Sequence, residues 1–574
     1  MSDQKLENLL NLALGATERE REESLELDVG YNVEDQTWDL IVRFSGEPED
    51  IAMEGAVITP LLNQYAIVKV PQSLLNPFVN QTAVEYVEKP KRLFFALDLS
   101  RTAACINQVQ SGLFDLTGNG VWVACIDSGI DYSHPDFLYP DGSSRILYLW
   151  DQTIPGNPPA GYNLGSLYTK EDIDRALRSE NRMEVVPSRD FSGHGTSVMG
   201  AAAGNGAASG GIYRGAAPQS DLIVVKLGTA GEDSFPRTTE LMQAVDFVVR
   251  LAAQQRMPVA INLSFGNAYG SHSGDSLLET YLDSVASVGR SVICAGTGND
   301  AALGGHHSSV LQEGRPQDVH LAVGAYETVL NVQLWKQYVD EVDIILIHPD
   351  GTQIGPLRAI QEPQRLNFKN TEVLFYYGEP APYSTAQEIY FDFLPRENYI
   401  DSGVWTFRLI PVRIVEGSYD MWLPGGQVLN ASTRFYEPSP ERTLTIPSTA
   451  SKLIAVGAYD ARLLSYAVFS GRGYTRVTDQ VKPVLVAPGV NVTVPKSGGG
   501  YHSVTGTSFA TPMVTGGAAL LMEWGIVRGN DPYLYGEKVK AYLIKGAKHL
   551  PGFQEYPNQK VGYGALCVRE SLPI

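Results

Sequence analysis

The sequence predicts an α/β protein built on a parallel sheet flanked by helices, with an α+β unit before it and an all-β domain inserted into it. Apolar strands alternate with helices over residues 96–300, a pattern typical of a parallel sheet with helices on both faces. Short aromatic strands with turn signals follow over 303–440 without a helical period, as in antiparallel sandwiches. The α/β pattern returns at 451–460, so the all-β block interrupts one domain.

The N-terminal unit is predicted from a short helix and three strands. Residues 1–30 contain a short helical segment and an acidic stretch. Segments 37–46, 63–71 and 84–90 are rich in β-branched and aromatic residues and are bounded by Gly, Asn or Pro, as strands are. They predict a small α+β unit that ends before residue 96.

Four buried strands and an amphipathic helix predict the parallel sheet. The strands are VWVACID (121–127), DLIVVKLG (221–228), VAINLSFG (259–266) and RSVICAGTG (290–298). Between the second and third, residues 238–254 repeat apolar side chains at a helical period. Such an alternation requires crossover connections and therefore parallel strands.

The inserted block is predicted to be an antiparallel sandwich, and we expect jelly-roll connectivity. Seven aromatic-rich segments without helical period carry this expectation: 330–337, 342–351, 373–378, 388–395, 403–412, 417–424 and 432–438.

Composition and charge exclude several classes of function. The chain has 574 residues, and at about 150 residues per domain this predicts three or four domains. Its 64 acidic residues outnumber 44 basic ones, giving a net charge of -20, which argues against nucleic acid and anionic membranes as partners. No apolar run is long enough to span a membrane, and residues 1–22 do not resemble a secretory signal.

The four cysteines, Cys105, Cys125, Cys294 and Cys567, are far apart and form no CxxC motif, so no disulfide is expected. Cys125 and Cys294 lie in apolar strand segments, so we expect small core residues rather than disulfides or metal ligands. This expectation fits production in a reducing compartment.

Three short motifs lie where catalytic groups commonly lie. Asp127 ends a buried strand, the edge at which α/β sheets place their ligands. His194 precedes a helix of small residues. Ser508 lies at the start of an apolar helix, at its positive end, and we expect Pro512 to occupy the first turn of that helix.

The residues around these three positions resemble the signatures of subtilisin-like serine proteases. The matching segments are DSGI (127–130) with SHPD (133–136), GHGT (193–196) and GTS (506–508). Asp, His and Ser also follow one another in the chain order of that family. The alternative is a structural Asp, a core His and a Ser that caps a helix.

The resemblance implies a role for each residue. Ser508 would be the nucleophile, His194 the base that takes its proton, and Asp127 the group that fixes the His194 tautomer. Asn299 stands where the family places the amide that stabilises the oxyanion. The implied function is a serine endopeptidase.

The resemblance also indicates which residues would bind the substrate. The edge strand that pairs with an extended substrate would be formed by Leu263, Ser264, Phe265, Gly266 and Asn267. Thr445 occupies the floor of the pocket for the side chain before the cut, where the family usually has Gly. A shallower, more polar pocket implies restricted cleavage.

Residues 37–96 resemble the propeptide of the family, an inhibitory chaperone that is removed by autoprocessing. The cleavage junction would lie near Phe95, Ala96 or Leu97; the alternative is a permanent N-terminal domain. We predict four segments: a propeptide over 1–96, a first catalytic part over 97–302, an inserted jelly roll over 303–442, and a second catalytic part over 443–574.

No cofactor is expected, although calcium stays possible. Asp136 matches a family calcium ligand, and loop 204–211 lies where a calcium loop usually lies. That loop offers Asn205 and carbonyls but no carboxylate, whereas Ca²⁺ usually takes several. His306 and His307 indicate a polar loop rather than a metal site.

The arrangement of the whole chain resembles the clostridial germination-specific Csp proteases, which cleave the zymogen of a spore cortex-lytic hydrolase. The implied partners are that zymogen and the chain's own propeptide, and the implied location is the spore after synthesis without an export signal. Two alternatives stay open: a subtilase, intracellular or released, with another protein substrate, and a pseudoprotease that acts as a signalling module.

Overall fold

A computed structural model of the chain divides it into two compact units, Met1–Phe94 and Phe95–Ile574. It describes residues 5–23, 27–90, 96–112, 114–228, 236–360, 362–425 and 428–573. The candidate junction residue Phe95 lies outside these ranges.

The first unit is an antiparallel sheet covered by helices, which confirms the predicted α+β unit. The strand order is β1-β2-β4-β3, with β5 beside β2. Alternate side chains of β2, from Trp38 to Phe44, are buried in its core. The elements are α1 (Asn8–Gly15), α2 (Glu18–Glu23), β1 (Tyr31–Asn32), β2 (Thr37–Phe44), β3 (Val57–Leu61), β4 (Tyr65–Pro71), α3 (Leu75–Val79) and β5 (Val84–Glu88).

A nine-stranded, mainly parallel sheet forms the centre of the second unit. Its order is β24-β23-β11-β10-β6-β9-β7-β8, with β25 beside β23, and only β8 and β24 run antiparallel to their neighbours. The first elements are α4 (Ala96–Ala103), β6 (Trp122–Asp127), β7 (Ile146–Asp151), β8 (Ser166–Thr169), α5 (Lys170–Arg178), α6 (Arg182–Val185), α7 (His194–Ala203), β9 (Asp221–Lys226), α8 (Thr238–Gln255), β10 (Val259–Leu263), α9 (Leu277–Val285) and β11 (Ser291–Gly296).

The inserted block is a sandwich of two antiparallel sheets around one core. The sheet orders are β12-β21-β14-β19-β18-β17 and β16-β15-β20-β13-β22. Phe391 of one sheet and Phe407 of the other meet edge to face in the shared core, with ring centroids 5.0 Å apart. The strands are β12 (His306–Val310), β13 (Gln317–Val323), β14 (Leu330–Gln337), β15 (Glu341–Ile347), β16 (Gln353–Leu357), β17 (Gln364–Asn367), β18 (Thr371–Tyr377), β19 (Ala386–Pro395), β20 (Gly403–Arg413), β21 (Ser418–Trp422) and β22 (Arg434–Phe435). Jelly-roll connectivity and the four segment boundaries stay predictions.

The chain then returns to the parallel sheet. The last elements are β23 (Ile454–Asp460), β24 (Ser465–Tyr466), β25 (Leu485–Pro488), β26 (Val492–Pro495), β27 (Tyr501–Val504), α10 (Thr507–Met522), α11 (Glu537–Lys545) and α12 (Val568–Ser571). In β6, Val123 and Cys125 face the core that contains α7 and α10, while Ala124 and Ile126 face the core of α8 and α9. Helices therefore cover both faces of the sheet, as predicted.

Helix α10 begins earlier than we expected. It starts at Thr507, so Pro512 lies in its second turn rather than its first. Pro lacks an N–H group and leaves the carbonyl four residues before it without a helical donor. That carbonyl belongs to Ser508.

The expectations for cysteine and histidine need two corrections. Cys125 and Cys294 are free and buried, as predicted, but Cys105 and Cys567 form a disulfide across 462 positions of sequence. His306 and His307 do not lie in a loop, because they begin β12 and are buried.

Among the described residues, no helix is both long and apolar enough to cross a membrane.

Candidate active site

Asp127 and His194 are joined by a hydrogen bond at the edge of the parallel sheet. Asp127 ends β6, and His194 begins α7. His194 Nδ1 lies 2.7 Å from Asp127 Oδ1, which also accepts the Ser128 amide at 2.7 Å. The close approach of the two elements requires Gly195, since a Cβ there would lie 2.2 Å from the Gly129 carbonyl oxygen.

A second carboxylate, which the sequence analysis missed, holds the His194 segment. Asp190 is buried. Its Oδ1 accepts the Ser128 hydroxyl at 2.8 Å and the Gly193 amide at 3.0 Å, and its Oδ2 accepts the Thr196 amide and hydroxyl. Asp190 lies three residues before Gly193, the N-cap of α7, and not at the N-cap position that capping patterns concern, so no local pattern indicated its role.

The electrostatic environment of His194 favours a base close to neutral pH. Burial lowers the pKa of His194, but the charge and hydrogen bond of Asp127 and the charge of Asp190 raise it, and the net pKa lies above its ordinary value. An acidic partner on Nδ1 also leaves Nε2 as the nitrogen that can accept a proton.

Ser508 exchanges two hydrogen bonds with Ser264. The Ser508 hydroxyl donates to the Ser264 carbonyl at 3.0 Å, and the Ser264 hydroxyl donates to the Ser508 carbonyl at 3.0 Å. Within the described part of the chain, no hydrogen bond joins Ser508 to His194. The His194 ring lies 5.6 Å from the ring of Phe509, the next residue, so the two candidate groups share one site, with the looser spacing that free proteases commonly have.

Asn299 is oriented toward the same place. Its Oδ1 accepts the Thr507 amide at 2.9 Å and the Thr507 hydroxyl at 3.2 Å. Both polar atoms lie near the Ser508 loop, since a Cβ on Gly506 would lie 3.4 Å from Nδ2 and 3.6 Å from Oδ1. Because Thr507 engages the oxygen, Nδ2 is the group left to donate. The site therefore combines a hydroxyl, an imidazole with its carboxylate, and an amide donor.

The candidate substrate strand and pocket floor lie together. Asn267 and Ile446 exchange two backbone hydrogen bonds of 3.0 and 2.8 Å. Thr445 is buried between two glycines, and a Cβ on Gly266 or on Gly298 would lie 2.9 or 2.4 Å from its side chain. The Thr445 side chain thus fills space that a glycine would leave open.

The predicted substrate strand starts inside the sheet. Leu263 is the last residue of the central strand β10, and its side chain is fully buried in the sheet core. Ser264, Phe265, Gly266 and Asn267 follow it toward the surface. The Ser264 side chain is buried as well. Because the predicted pairing runs through the backbone, contact of all five residues with a substrate stays a prediction.

The candidate junction is described only in part. Ala96 and Leu97 are the first residues of α4, whereas Phe95 lies outside the described residues. The junction stays a prediction.

The candidate calcium ligands are used by protein donors. The Asp136 carboxylate is fully buried and accepts the Tyr501 hydroxyl at 2.8 and 2.9 Å and the Ala208 amide at 3.0 Å. Asn205 Oδ1 accepts the Ala207 amide. With these oxygens engaged and no second carboxylate, the residues do not fit a calcium site. No group of three or more His, Cys, Asp or Glu side chains could hold a metal ion in the described ranges.

Two family models match the chain. The model of the Csp protease B prodomain matches residues 4–91. The model of the subtilase family matches residues 118–390 and 430–564, so it spans the candidate catalytic residues and much of the inserted sandwich.

Known proteins of the same kind are similar to this chain. The solved structure of the Clostridium perfringens CspB protease is 34% identical, with a TM-score of 0.76, over 82% of this chain and 96% of that one. The minor extracellular protease Vpr of Bacillus subtilis is 23% identical over 486 residues, 79% of this chain and 52% of Vpr. The serine protease AprX of the same species is 32% identical over 152 residues, 23% of this chain and 32% of AprX. This chain therefore spans about half the length of Vpr.

Asp127 lies at the end of a strand, His194 and Ser508 lie at the starts of helices, and Asn299 lies in the loop after β11. The subtilase family model covers all four residues. The chain belongs to the subtilase family and carries a CspB-type prodomain.

Proposed function

We propose that the protein is a serine endopeptidase in which Ser508 attacks the peptide carbonyl. His194 Nε2 takes the Ser508 proton and then gives it to the leaving amine, and Asp127 holds the His194 tautomer and stabilises the imidazolium. Asn299 donates from Nδ2 to the oxyanion. The 2.7 Å contact between Asp127 and His194 is the observation that carries this proposal.

The site accepts only a restricted set of side chains before the scissile bond. Thr445 fills the space between Gly266 and Gly298, so a large side chain before the scissile bond meets its methyl and hydroxyl groups. The reaction needs no cofactor, since the nucleophile, the base and the oxyanion donor are all side chains of this chain.

The prodomain is the first substrate. The similarity to the Csp protease B prodomain supports autoprocessing near Phe95, Ala96 or Leu97. The likeness to the CspB protease supports a role in spore germination, in which the enzyme is packaged in the spore and activates a cortex-lytic hydrolase zymogen.

The intact mass of the purified protein, beside Ser508→Ala, tests the proposal. Wild type should separate into two fragments that meet near residue 96, and Ser508→Ala should stay whole. Ser503→Ala is the matched control, because Ser503 is an exposed serine on the neighbouring strand β27. It should be cut like wild type.

A small fluorophosphonate reports whether the serine is activated, independently of any substrate. Labelling of wild type and Ser503→Ala, but not of Ser508→Ala, supports the enzyme. A wild-type protein that is neither cut nor labelled would contradict it and favour the pseudoprotease that acts as a signalling module. If the protein is labelled but does not cleave a cortex-lytic zymogen, the result supports a serine protease and contradicts the germination role.

A further inference from the structure

The wall of the substrate pocket continues into a loop that the inserted sandwich contacts. Residues 267–270 follow Gly266 directly, and Gln333 of β14 reaches this loop from the sandwich. Gln333 is 1% exposed. Its Oε1 accepts the Gly270 amide at 3.0 Å, and its Nε2 donates to the Ala268 carbonyl at 3.3 Å. One side chain therefore satisfies both a donor and an acceptor of the loop, as a paired strand would.

The opposite wall of the pocket is tied to the same loop by His272. His272 Nδ1 lies 2.8 Å from the Leu444 carbonyl, and Nε2 lies 3.2 Å from the Ala268 carbonyl. Burial lowers the pKa of His272 to about 4, so the ring is neutral near pH 7 and has a single N–H. The ring can therefore donate to only one of these two carbonyls, whereas Gln333 donates to the Ala268 carbonyl in either tautomer.

The sandwich also holds His272. Its ring stacks on Trp422 of β21 with centroids 4.1 Å apart, and Trp422 Nε1 donates to the Arg442 carbonyl at 3.0 Å. Trp422 and Gln333 are cross-strand neighbours in one sheet. Both walls of the pocket are thus positioned by the same pair of strands.

The walls have room to move if these contacts are lost. A cavity of about 120 Å³ is lined jointly by the sandwich and by the pocket walls, and its lining includes Ala268, His272, Trp422, Leu444 and Thr445. Close-packed walls resist displacement, but a wall that borders a void can relax into it.

We propose that the inserted sandwich sets the specificity of the protease, and that Gln333 is a positioning residue that holds the pocket wall 267–270 in place. This inference rests on the proposed function. Gln333 contacts neither the substrate nor the reacting groups, so it acts through the wall rather than on the chemistry.

The test compares Gln333→Met with wild type by two kinds of active-site label. Methionine keeps the length of the side chain and removes both hydrogen bonds. A small fluorophosphonate reacts with Ser508 without filling the pocket, whereas peptidyl diphenyl phosphonates that differ only in the residue before the phosphorus must fill it. We expect labelling of Gln333→Met by the peptidyl series to fall about 10-fold, with a changed order of preference. Its labelling by the fluorophosphonate should match wild type.

Gln387→Met is the matched control. Gln387 is also a buried glutamine of this sheet, and it also makes two hydrogen bonds, donating to Gly378 and accepting from Lys336. These partners lie within the sandwich and away from the pocket. Gln387→Met should therefore keep the wild-type order of preference among the peptidyl phosphonates, even if it lowers the melting temperature.

The outcomes separate this inference from the proposed function. If Gln333→Met reacts with every peptidyl phosphonate as wild type does, or if Gln387→Met changes the preference equally, the sandwich does not set specificity. If the fluorophosphonate fails to label wild type, the proposed function itself fails. Trp422→Phe keeps the stacking and removes the hydrogen bond to Arg442, and it should shift the preference in the same direction as Gln333→Met.

Discussion

The Ser264 hydroxyl supplies the hydrogen bond that Pro512 cannot give to the Ser508 carbonyl. Pro512 lies four residues after Ser508 in α10 and has no N–H. Ser264 Oγ donates to that carbonyl at 3.0 Å, and the Ser508 hydroxyl donates back to the Ser264 carbonyl. The start of the helix that carries the candidate nucleophile is thus fixed by Ser264 of the candidate substrate strand.

Ser264→Ala should lower both stability and turnover. Loss of the donor leaves a partly buried carbonyl unpaired, which costs about 1 kcal/mol of unfolding free energy. Turnover should fall about 10-fold, because the Ser508 backbone is then held less firmly. Pro512→Ala restores an N–H to the helix, so the effect of Ser264→Ala should be smaller in the double variant. Equal effects in both backgrounds would show that the two residues are not coupled.

Asn299→Asp should remove the oxyanion donor while it keeps the contacts of Oδ1 with Thr507. We expect turnover to fall about 10²–10³-fold, the size known for subtilisin itself, with little change in KM. Steady-state kinetics on a peptide p-nitroanilide measure both. A change confined to KM would assign Asn299 to substrate binding instead.

The rate should rise with pH through the pKa of His194, because only the neutral ring can accept the Ser508 proton. Asp127 and Asp190 raise that pKa above its ordinary value of 6.5. Asp190→Asn removes one of these charges and should move the acid limb of kcat/KM to lower pH. Ser192→Ala, which removes a neutral partner of Asp190, should leave the limb in place. An unmoved limb in Asp190→Asn would contradict this account.

Thr445→Gly should widen the specificity. The Thr445 side chain fills the space beside Gly266 and Gly298, and its removal opens the pocket to larger residues before the cut. Cleavage of a peptide library should then include aromatic residues at that position. Thr443→Gly removes a threonine of the same segment two residues earlier and should leave the library profile unchanged.

The sequence was sufficient to predict the groups that lie at element ends. Asp127 ends a buried strand and Ser508 lies in the first turn of an apolar helix, so the local sequence pattern located both. The exchange between Ser264 and Ser508 spans 244 positions, and the contact of Gln333 with Gly270 spans 63. No local pattern predicts such pairs, since they depend on how the sheet and the sandwich pack.

The dependence on contacts between distant positions also explains why the predictions for the cysteines and for His306 and His307 were wrong. Cys105 and Cys567 lie 462 positions apart, and nothing beside either one indicates its partner. His306 and His307 are polar in sequence, but Asp420 and Tyr419 of the neighbouring strand lie within hydrogen-bond distance of their rings and allow their burial.

Glu388 should make the stability of the sandwich depend on pH. It lies on β19 directly opposite Trp335, and burial raises its pKa from 4.5 to about 7. A carboxyl whose pKa is raised by folding contributes stability below pH 4.5, and this stability is lost as the pH rises through 7. At pH 8 the ionised group then destabilises the fold.

Glu388→Gln should therefore stabilise the protein at pH 8 and leave it unchanged at pH 4. The gain should be about 2 kcal/mol of unfolding free energy, after allowance for the part of the side chain that meets solvent. Urea unfolding at the two pH values measures it, with Glu397→Gln, an exposed glutamate just after the same strand, as the control. An equal gain at both pH values would mean that packing, and not the charge of Glu388, is responsible.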